Sequence, residues 1–185
     1  MSTSPATVSA VQYEIDPSHS SAQFKVRHLM ISYVRGEFPK VSGKVSFNPV
    51  NPSASSIDVS IDATSIHTRE PQRDEHLKSA DFLDVAKYPA ITFRSKGVAA
   101  AGKDTYEVTG DLTVRGVTKS VNLLVDGVTP EAKDPWGGAR RGATATTTIQ
   151  RKDFGLTWNM ALETGGIMVG EEVHITIDVE LVRKA

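Results

Sequence analysis

The sequence predicts an all-β protein, an antiparallel β-barrel of about eight strands with one short helical insert near residues 69–84. Segments in which apolar and polar residues alternate recur along the chain, and this alternation is typical of half-buried strands. Turn residues separate these segments, and the sequence lacks the spacing of a strand–helix–strand unit. Because every segment keeps one apolar face, closure into a barrel is favoured, since closure removes exposed sheet edges.

Four alternating segments precede the insert. In the first of them Phe24, Val26 and His28 share one face, and lysine and arginine occupy the other. A turn rich in proline and asparagine separates the third segment from the fourth. The segments lie at residues 22–28, 33–38, 41–47 and 56–63.

A charged stretch then interrupts the alternation, over residues 68–84. Pro71 stands where the first turn of a helix tolerates proline, and Ser79 is predicted to cap the start of a second helical turn. Tyr88 precedes Pro89, and proline disfavours helical geometry in the residue before it. The stretch therefore predicts a short helical insert in a chain that is otherwise β-structure.

Five further alternating segments follow the insert. Arg115 and Gly116 predict a tight hairpin between the second and third of these. The segments lie at residues 91–95, 106–114, 121–125, 143–149 and 173–181.

Composition and charge exclude several classes of protein. A chain of 185 residues is the size of one domain, and a net charge of −1 argues against a nucleic-acid-binding surface. No apolar run reaches the length of a transmembrane segment. The absence of cysteine excludes disulfides, thiol catalysis and cysteine metal sites. Residues 1–12 lack the regions of a signal peptide, so we expect a disordered N-terminal segment and a cytoplasmic protein.

The apolar faces leave two interpretations of the barrel interior open. They contain many small residues, among them Gly43, Gly110, Ala143 and Ala145, where a barrel filled by its own side chains would carry larger ones. A barrel of eight strands can either fill itself or hold one ligand. For each candidate below, packing in a solid core is the alternative to lining a cavity. The candidate lining residues are Phe24, Val26, His28, Val45, Val59, Phe93, Val108, Val125, Ala143, Ala145, Trp158, Met160, Met168 and Ile177.

Polar residues of the insert are candidates for contact with a ligand head group. Arg73 could bind a pyrophosphate or a quinone, and Asp74 and His76 lie beside it. The alternative is an Arg–Asp pair that ties the insert to the barrel. With His67 and Glu75, these residues include types that bind metal ions. Their spacing fits no standard metal site, so no metal is expected.

Two predicted loops each contain a tryptophan, Trp136 in one and Trp158 in the other. Arg140 and Arg141 lie close to Trp136, in a segment that we interpret as a solvated loop rather than as a contact with an anionic membrane. Trp158 and Met160 precede the last strand, and methionine suits adaptable apolar contacts. This second loop predicts a lid over a cavity mouth or a dimer contact, the alternative being a plain cover over one end of the barrel.

Several longer motifs follow one another in order. They are Arg-Asp-x-His-Leu-x-Ser-x-Asp-Phe-x-Asp at residues 73–84, Tyr-Pro-x-Ile-Thr-Phe at 88–93, Gly-Asp-Leu-Thr-x-x-Gly-Val-Thr-Lys at 110–119, and Lys-Asp-Phe-Gly at 152–155. Through these motifs the chain, from about Tyr13 to its end, resembles the YceI-like family. The resemblance implies a lipocalin-like barrel that encloses a long apolar ligand, a polyisoprenoid or a quinone with a polyprenyl tail. Many members of that family are exported to the periplasm.

The prediction is therefore a YceI-like β-barrel domain over residues 13–185 that binds, stores or transports a long isoprenoid lipid. The sequence contains no Gly-x-Ser-x-Gly elbow, phosphate-binding glycine loop or His-Glu-x-x-His motif, so no catalytic activity and no cofactor other than the bound lipid are expected. Two alternatives are a solid barrel that binds a protein partner and an enzyme that modifies the lipid. A homodimer is the one assembly that the Trp158 loop suggests.

Overall fold

The computed structural model describes residues 8–185 and consists mainly of one antiparallel sheet. Eight of its strands close into a ring, in the order β1, β4, β5, β6, β7, β8, β10, β11 and back to β1, so the predicted fold class is confirmed. The elements are β1 (Val11–Ile15), β2 (Ser21–His28), β3 (Ser32–Phe38), β4 (Val41–Phe47), β5 (Ser56–Asp62), α1 (Pro71–Lys78), β6 (Ala90–Gly102), β7 (Thr105–Val114), β8 (Val117–Asp126), β9 (Ala132–Lys133), β10 (Ala139–Gln150) and β11 (Val169–Arg183).

The long strand β11 closes the barrel. One of its edges pairs with β10, and the other pairs first with β2 and then, near its end, with β1. A 3₁₀ turn at Pro17–His19 joins β1 to β2, so these two short strands together cover one edge of β11. The strand β3 pairs with β2, and the two-residue strand β9 pairs with β10.

The predicted hairpin at Arg115 and Gly116 is present. Both residues have positive φ, 50° and 71°, and Val114 faces Val117 across the turn. Two consecutive left-handed residues give the type of turn whose twist matches that of the flanking strands, and glycine tolerates this conformation without strain. The local sequence therefore specifies the register of β7 and β8.

The predicted helical insert contains the helix α1 and a hydrogen-bonded turn that follows it. Pro71 begins α1, and the Glu70 side chain accepts a hydrogen bond from the Gln72 N–H. Ser79 ends α1, where its hydroxyl donates to the His76 carbonyl at 2.6 Å. It also begins the next turn, as predicted, because its hydroxyl accepts from the Asp81 N–H at 3.3 Å and its carbonyl accepts from the Phe82 N–H at 3.0 Å. The backbone of Ser79 is extended, so the following residues form turns.

The N-terminal prediction needs one correction. Residues 1–7 of the predicted disordered segment 1–12 lie outside the described residues. Val11 and Gln12 belong to β1, where they face Phe47 and Ser46 of β4. The apolar and polar alternation of β1 is only five residues long, too short to stand out in the sequence.

The interior of the barrel is packed on one side only. Its largest fully buried side chains are Tyr13, Val41, Val108 and Phe154. By contrast, the inward side chains of β10 are all only partly buried, although they belong to a closed ring. Inward residues of a closed barrel retain accessible surface only where the interior is not filled, so this side borders a cavity.

Two small residues have a role that differs from the one predicted. A Cβ atom at Gly110 would overlap the Phe93 ring, and one at Gly43 would meet the backbone of β5 and the Ile15 side chain. Both glycines therefore admit close packing and leave no space for a ligand. Ala143 and Ala145, by contrast, line the cavity inside the barrel.

Candidate ligand-binding cavity

A cavity of about 720 Å³ occupies the interior of the barrel. Its wall consists mainly of valine, isoleucine, leucine and phenylalanine side chains from nearly every strand of the ring. Pockets of this size are typical of sites that bury most of a small-molecule ligand. The fold therefore provides an apolar interior volume, as expected if the barrel is hollow.

The cavity is long. On β10 the residues that line it alternate from Arg141 through Ala143, Ala145 and Thr147 to Ile149. At a rise of about 3.3 Å per residue, this row covers roughly 26 Å along the strand. A chain-like ligand can therefore lie along β10 in an extended form.

Most of the predicted lining residues lie on this wall. Val59, Phe93 and Val108 are buried, so they belong to the packed side of the interior as well. The remaining predicted residues on the wall are only partly buried. Whether any of them contacts a ligand stays a prediction. The predicted residues found on the wall are Phe24, Val26, His28, Val45, Val59, Phe93, Val108, Val125, Ala143, Ala145, Trp158, Met168 and Ile177.

Met160 lies outside the wall, contrary to the prediction. Its side chain is 55% exposed. The Asn159 side chain accepts from the Met160 N–H at 2.9 Å, and the Met160 carbonyl accepts from the Met168 N–H at 2.9 Å. These bonds set the backbone of the loop so that Met168 lies on the wall while the Met160 side chain points away.

One end of the cavity, the α1 end, is lined by an aromatic cluster. The Trp158 ring centroid lies 4.7 Å from that of His76 and 5.3 Å from that of Phe82. His76 also contacts the Asp81 carboxylate through Nε2 at 2.8 Å. Edge-to-face pairs of this kind fix the rings relative to one another. The helical insert and the loop before β11 thus meet at this end.

The charged residues of the insert meet through Thr68, which the sequence analysis did not identify. The buried Asp74 carboxylate accepts from the Thr68 N–H at 2.8 Å and from its hydroxyl at 2.5 Å. Arg73 donates to the Thr68 hydroxyl at 2.8 Å and to its carbonyl at 2.6 Å. Arg73 reaches the cavity wall, whereas Asp74 does not line it. The predicted Arg–Asp connection is therefore indirect, through one threonine.

Arg151 holds the Trp158 loop in place. Its side chain is 3% exposed and donates to the carbonyls of Gly170, Leu156 and Trp158 at 2.8, 2.6 and 2.9 Å, with a longer contact to Val169 at 3.3 Å. Burial lowers the pKa of the guanidinium from its ordinary value, and Glu171 at 3.7 Å opposes this effect. An arginine after a strand gives no local signal of this role, so the sequence analysis missed it.

The arginine pair beside Trp136 is not a solvated loop, which corrects the prediction. Arg140 donates to carboxylates of Asp16, Asp134 and Glu180 at 2.7, 2.8 and 2.6 Å. Arg141 points the other way, into the cavity wall. Alternation along β10 explains the difference, because neighbouring residues of a strand face opposite sides of the sheet.

Arg141 marks the second end of the cavity, the Arg141 end. Its guanidinium carbon lies 5.1 Å from the Phe47 ring centroid and 5.8 Å from that of Tyr13. Phe47 in turn packs edge-to-face on Tyr106 at 5.4 Å. Two aromatic rings thus flank Arg141, a third packs on Phe47, and the long row of β10 residues separates them from Trp158.

The candidate metal ligands are not brought together. His67 approaches Asp74 at 3.5 Å, whereas His76 pairs with Asp81. In the described part of the chain, the three metal-ligating side chains that do converge are Asp16, His19 and Glu180. Arg140 donates to both carboxylates of that group, so its positive charge already occupies the position that a cation would take.

Within residues 8–185, no helix has the length and apolar character that crossing a membrane would require. Comparisons with known proteins agree on one family. A family model described as YceI-like domain matches residues 13–181. A UPF0312 protein of Ectopseudomonas mendocina is 39% identical over 177 residues, which are 95% of this chain and 89% of that protein.

Solved structures show the same fold. BcnA of Burkholderia cenocepacia superposes with a TM-score of 0.78 at 25% identity, over 90% of this chain and 98% of that one. A polyisoprenoid binding domain from Saccharophagus degradans, implicated in plant cell wall breakdown, superposes with a TM-score of 0.67 at 15% identity, over 94% of this chain and 99% of that one. At that identity the second likeness concerns the fold alone.

Proposed function

The chain belongs to the YceI-like family, and from this premise we propose that it binds and carries a long apolar ligand, a polyisoprenoid or a polyprenyl quinone, inside its barrel. The observation that carries the proposal is the apolar cavity of about 720 Å³ along β10. The polyisoprenoid binding domain with the same fold supports the choice of ligand class.

The apolar wall of the cavity suits a ligand whose binding free energy comes from burial of apolar surface. A polyprenyl chain needs no polar partners along its length, and each buried CH₂ group contributes about 0.8 kcal/mol. A wall of valine, isoleucine and phenylalanine side chains supplies that burial and discriminates weakly between chains of similar width. We therefore expect affinity to rise with chain length until the cavity is filled.

The two competing hypotheses make different predictions. A solid barrel that acts only through its surface would leave no interior volume for a ligand, and the cavity counts against it. A lipid-modifying enzyme would convert a bound prenyl compound. The family and the polyisoprenoid binding domain support a binding protein rather than an enzyme.

Native mass spectrometry of protein purified from cells without detergent tests the proposal. We expect a co-purifying apolar ligand that leaves on collisional activation, with a mass that fits a prenyl compound. A clean apo mass, together with failure to bind added polyprenyl ligands, would reject the carrier hypothesis. The same spectra report whether the protein is a homodimer. Conversion of a bound prenyl compound over time would favour the enzyme instead.

A further inference from the structure

We propose that Arg141 binds the anionic head group of the cavity ligand, a carboxylate or a phosphate, so that the ligand enters with its head toward the Arg141 end. The proposal rests on the proposed function, because it assigns a position and a chemistry to one end of the carried molecule. It differs from the earlier hypothesis that placed the head group at Arg73, beside α1.

The guanidinium of Arg141 is incompletely hydrogen-bonded: Tyr13 is a side-chain partner, but Nε has none. Its Nε atom is buried and has no hydrogen-bond partner, and it is the one such side-chain atom found among residues 8–185. A buried polar group without a partner is costly, and a charged one more so. Arg141 lines the cavity, so a ligand at this end would lie beside its side chain.

Among the acidic residues that the structure describes, the one near Arg141 is engaged by other partners. Glu131 is the acidic residue near this end, but it accepts from the Tyr13 hydroxyl at 2.7 Å and pairs with Arg183 at 2.9 Å. The hydrogen bond from Tyr13 holds the pKa of Glu131 below its ordinary value, so it keeps its charge for those two partners. Among residues 8–185, Arg141 forms no salt bridge, and its charge lowers the Glu131 pKa only as a lesser cause, at longer range.

Arg141 differs from the other three arginines of the cavity wall. Arg73 is bonded to Thr68, and Arg151 is bonded to backbone carbonyls. Arg27 lies 4.5 Å from the Tyr33 ring centroid and is exposed. Arg141 combines a place on the wall, a buried Nε and aromatic rings that orient its plane.

The chemistry of the site then selects the head group. A guanidinium presents parallel N–H donors that match a carboxylate or a phosphate, and such bonds are strong where water is scarce. Ala143 and Ala145 follow Arg141 on the same face of β10. Their side chains are small, so the cavity beside the cation has room for the ligand chain. The tail would extend along β10 toward Trp158.

The test compares ligand pairs that differ only in the head group. Delipidated wild type and Arg141→Met are titrated calorimetrically with dodecanoate against dodecan-1-ol, and with farnesyl phosphate against farnesol. We expect Arg141→Met to weaken binding of the anionic member by about tenfold or more, which corresponds to about 1.4 kcal/mol. Binding of the alcohols should change by less than about twofold. The two pairs show whether a carboxylate or a phosphate is preferred.

Arg73→Met is the matched control, because it removes a guanidinium from the other end of the cavity. If Arg73→Met weakens the anionic ligands and Arg141→Met does not, the head group lies at the α1 end and the inference is wrong. An equal loss for acids and alcohols in Arg141→Met would assign this arginine to packing, which also overturns it. Failure of wild type to bind any of the four compounds, or longer polyprenyl alcohols, would instead remove the proposed function itself.

Discussion

At the scale of single residues, Thr68 explains why the charged motif of the insert tolerates a buried carboxylate. The Asp74 carboxylate accepts two hydrogen bonds from Thr68, and Arg73 donates two hydrogen bonds to Thr68. Charge-assisted hydrogen bonds are stronger than neutral ones, and removal of one partner leaves the others unsatisfied. The motif therefore fixes the start of α1 against the chain that precedes it.

Arg73→Ala should reduce stability more than ligand binding. Loss of its bonds to Thr68 should lower the free energy of unfolding by about 1–3 kcal/mol. Affinity for an uncharged polyprenyl ligand, corrected for the folded fraction, should stay near that of wild type. Glu75→Ala is the control on the same helix, because its exposed pair with Lys78 contributes at most about 0.5 kcal/mol. Unchanged urea denaturation together with a selective loss of pyrophosphate-bearing lipids would show that Arg73 binds a head group.

The Arg140 network makes stability depend on pH. The hydrogen bond from Arg140 is the largest cause that holds the pKa of Asp134 below its ordinary value. For Asp16, bonds from the Ser18 hydroxyl and from His19 come first, and Arg140 lowers its pKa further. A carboxylate with a depressed folded-state pKa stabilises the fold above its unfolded pKa, about 3.9, and loses that contribution as pH falls through the folded value.

Asp134→Asn should therefore be less stable than wild type at pH 7, with a difference that shrinks as the pH falls below about 4. Urea midpoints at pH 7, 4 and 3 measure this. The exposed Asp153→Asn controls for the change in net charge. A difference between wild type and Asp134→Asn that is constant over this range would mean that the ion pair does not contribute.

At the scale of elements, the loop between β10 and β11 is ordered by long-range contacts. Arg151 binds backbone carbonyls at both ends of this loop, and Asn159 bonds to the backbone of Val169 through both of its side-chain atoms. Trp158 packs on His76 and Phe82 of the insert. The loop and the insert therefore form one end of the cavity together, so a ligand there should change the surroundings of Trp158.

Trp158 fluorescence should report that change. In a Trp136→Phe background, addition of a long polyprenyl ligand should shift the emission of Trp158 or quench it. The control is Trp158→Phe, in which the remaining Trp136 is 85% exposed and should not respond. A shift that depends on protein concentration but not on ligand would favour the dimer contact. Emission of Trp158 that is indifferent to both would reject either placement.

The sequence predicts elements where their signal is local. Alternation identifies the strands, and Arg115 with Gly116 identifies a hairpin, because period and turn conformation depend on neighbouring residues. Sequence alone does not predict that β1 and β2 share one edge of β11, since that arrangement depends on pairing between distant segments. Ser79 was predicted to cap the turn that follows it and does so, but its second role at the end of α1 was not predicted, because one serine hydroxyl can donate to the preceding turn and accept from the next.

In the candidate site, too, only features with a local sequence pattern were predictable. Apolar wall residues were predictable because one face of a strand in a barrel must point inward. Arg141 and Arg151 were not, because an arginine near the end of a strand has the same local pattern whether it is solvated or buried. Met160 was assigned to the wall from its residue type, and the hydrogen bonds of Asn159 determine otherwise.

At the scale of the whole molecule, the barrel combines a packed side with a hollow one. Val108 is 1% exposed, whereas Ala145 on β10 keeps surface toward the cavity although both lie on the wall. Packing on one side stabilises the closed ring, and the other side retains volume that a ligand can fill. This asymmetry means that the same kind of substitution should have opposite effects at different places in the interior.

Ala145→Trp tests this asymmetry. If the interior beside Ala145 is hollow, the new ring enters the cavity, and the delipidated protein should keep its melting temperature or gain stability from added apolar burial. Capacity for long-chain ligands should fall sharply, while short-chain ligands are affected less. Thermal melts and a chain-length series of binding titrations measure both effects.

Ala63→Trp is the matched control, because Ala63 is 1% exposed in the packed core and does not line the cavity. Overpacking there should cost about 1–3 kcal/mol or more, without a change in the preference for chain length among molecules that remain folded. If Ala145→Trp behaves like Ala63→Trp, with lower stability and unchanged binding per folded molecule, the space beside Ala145 is core. The carrier function would then lose the cavity on which it depends.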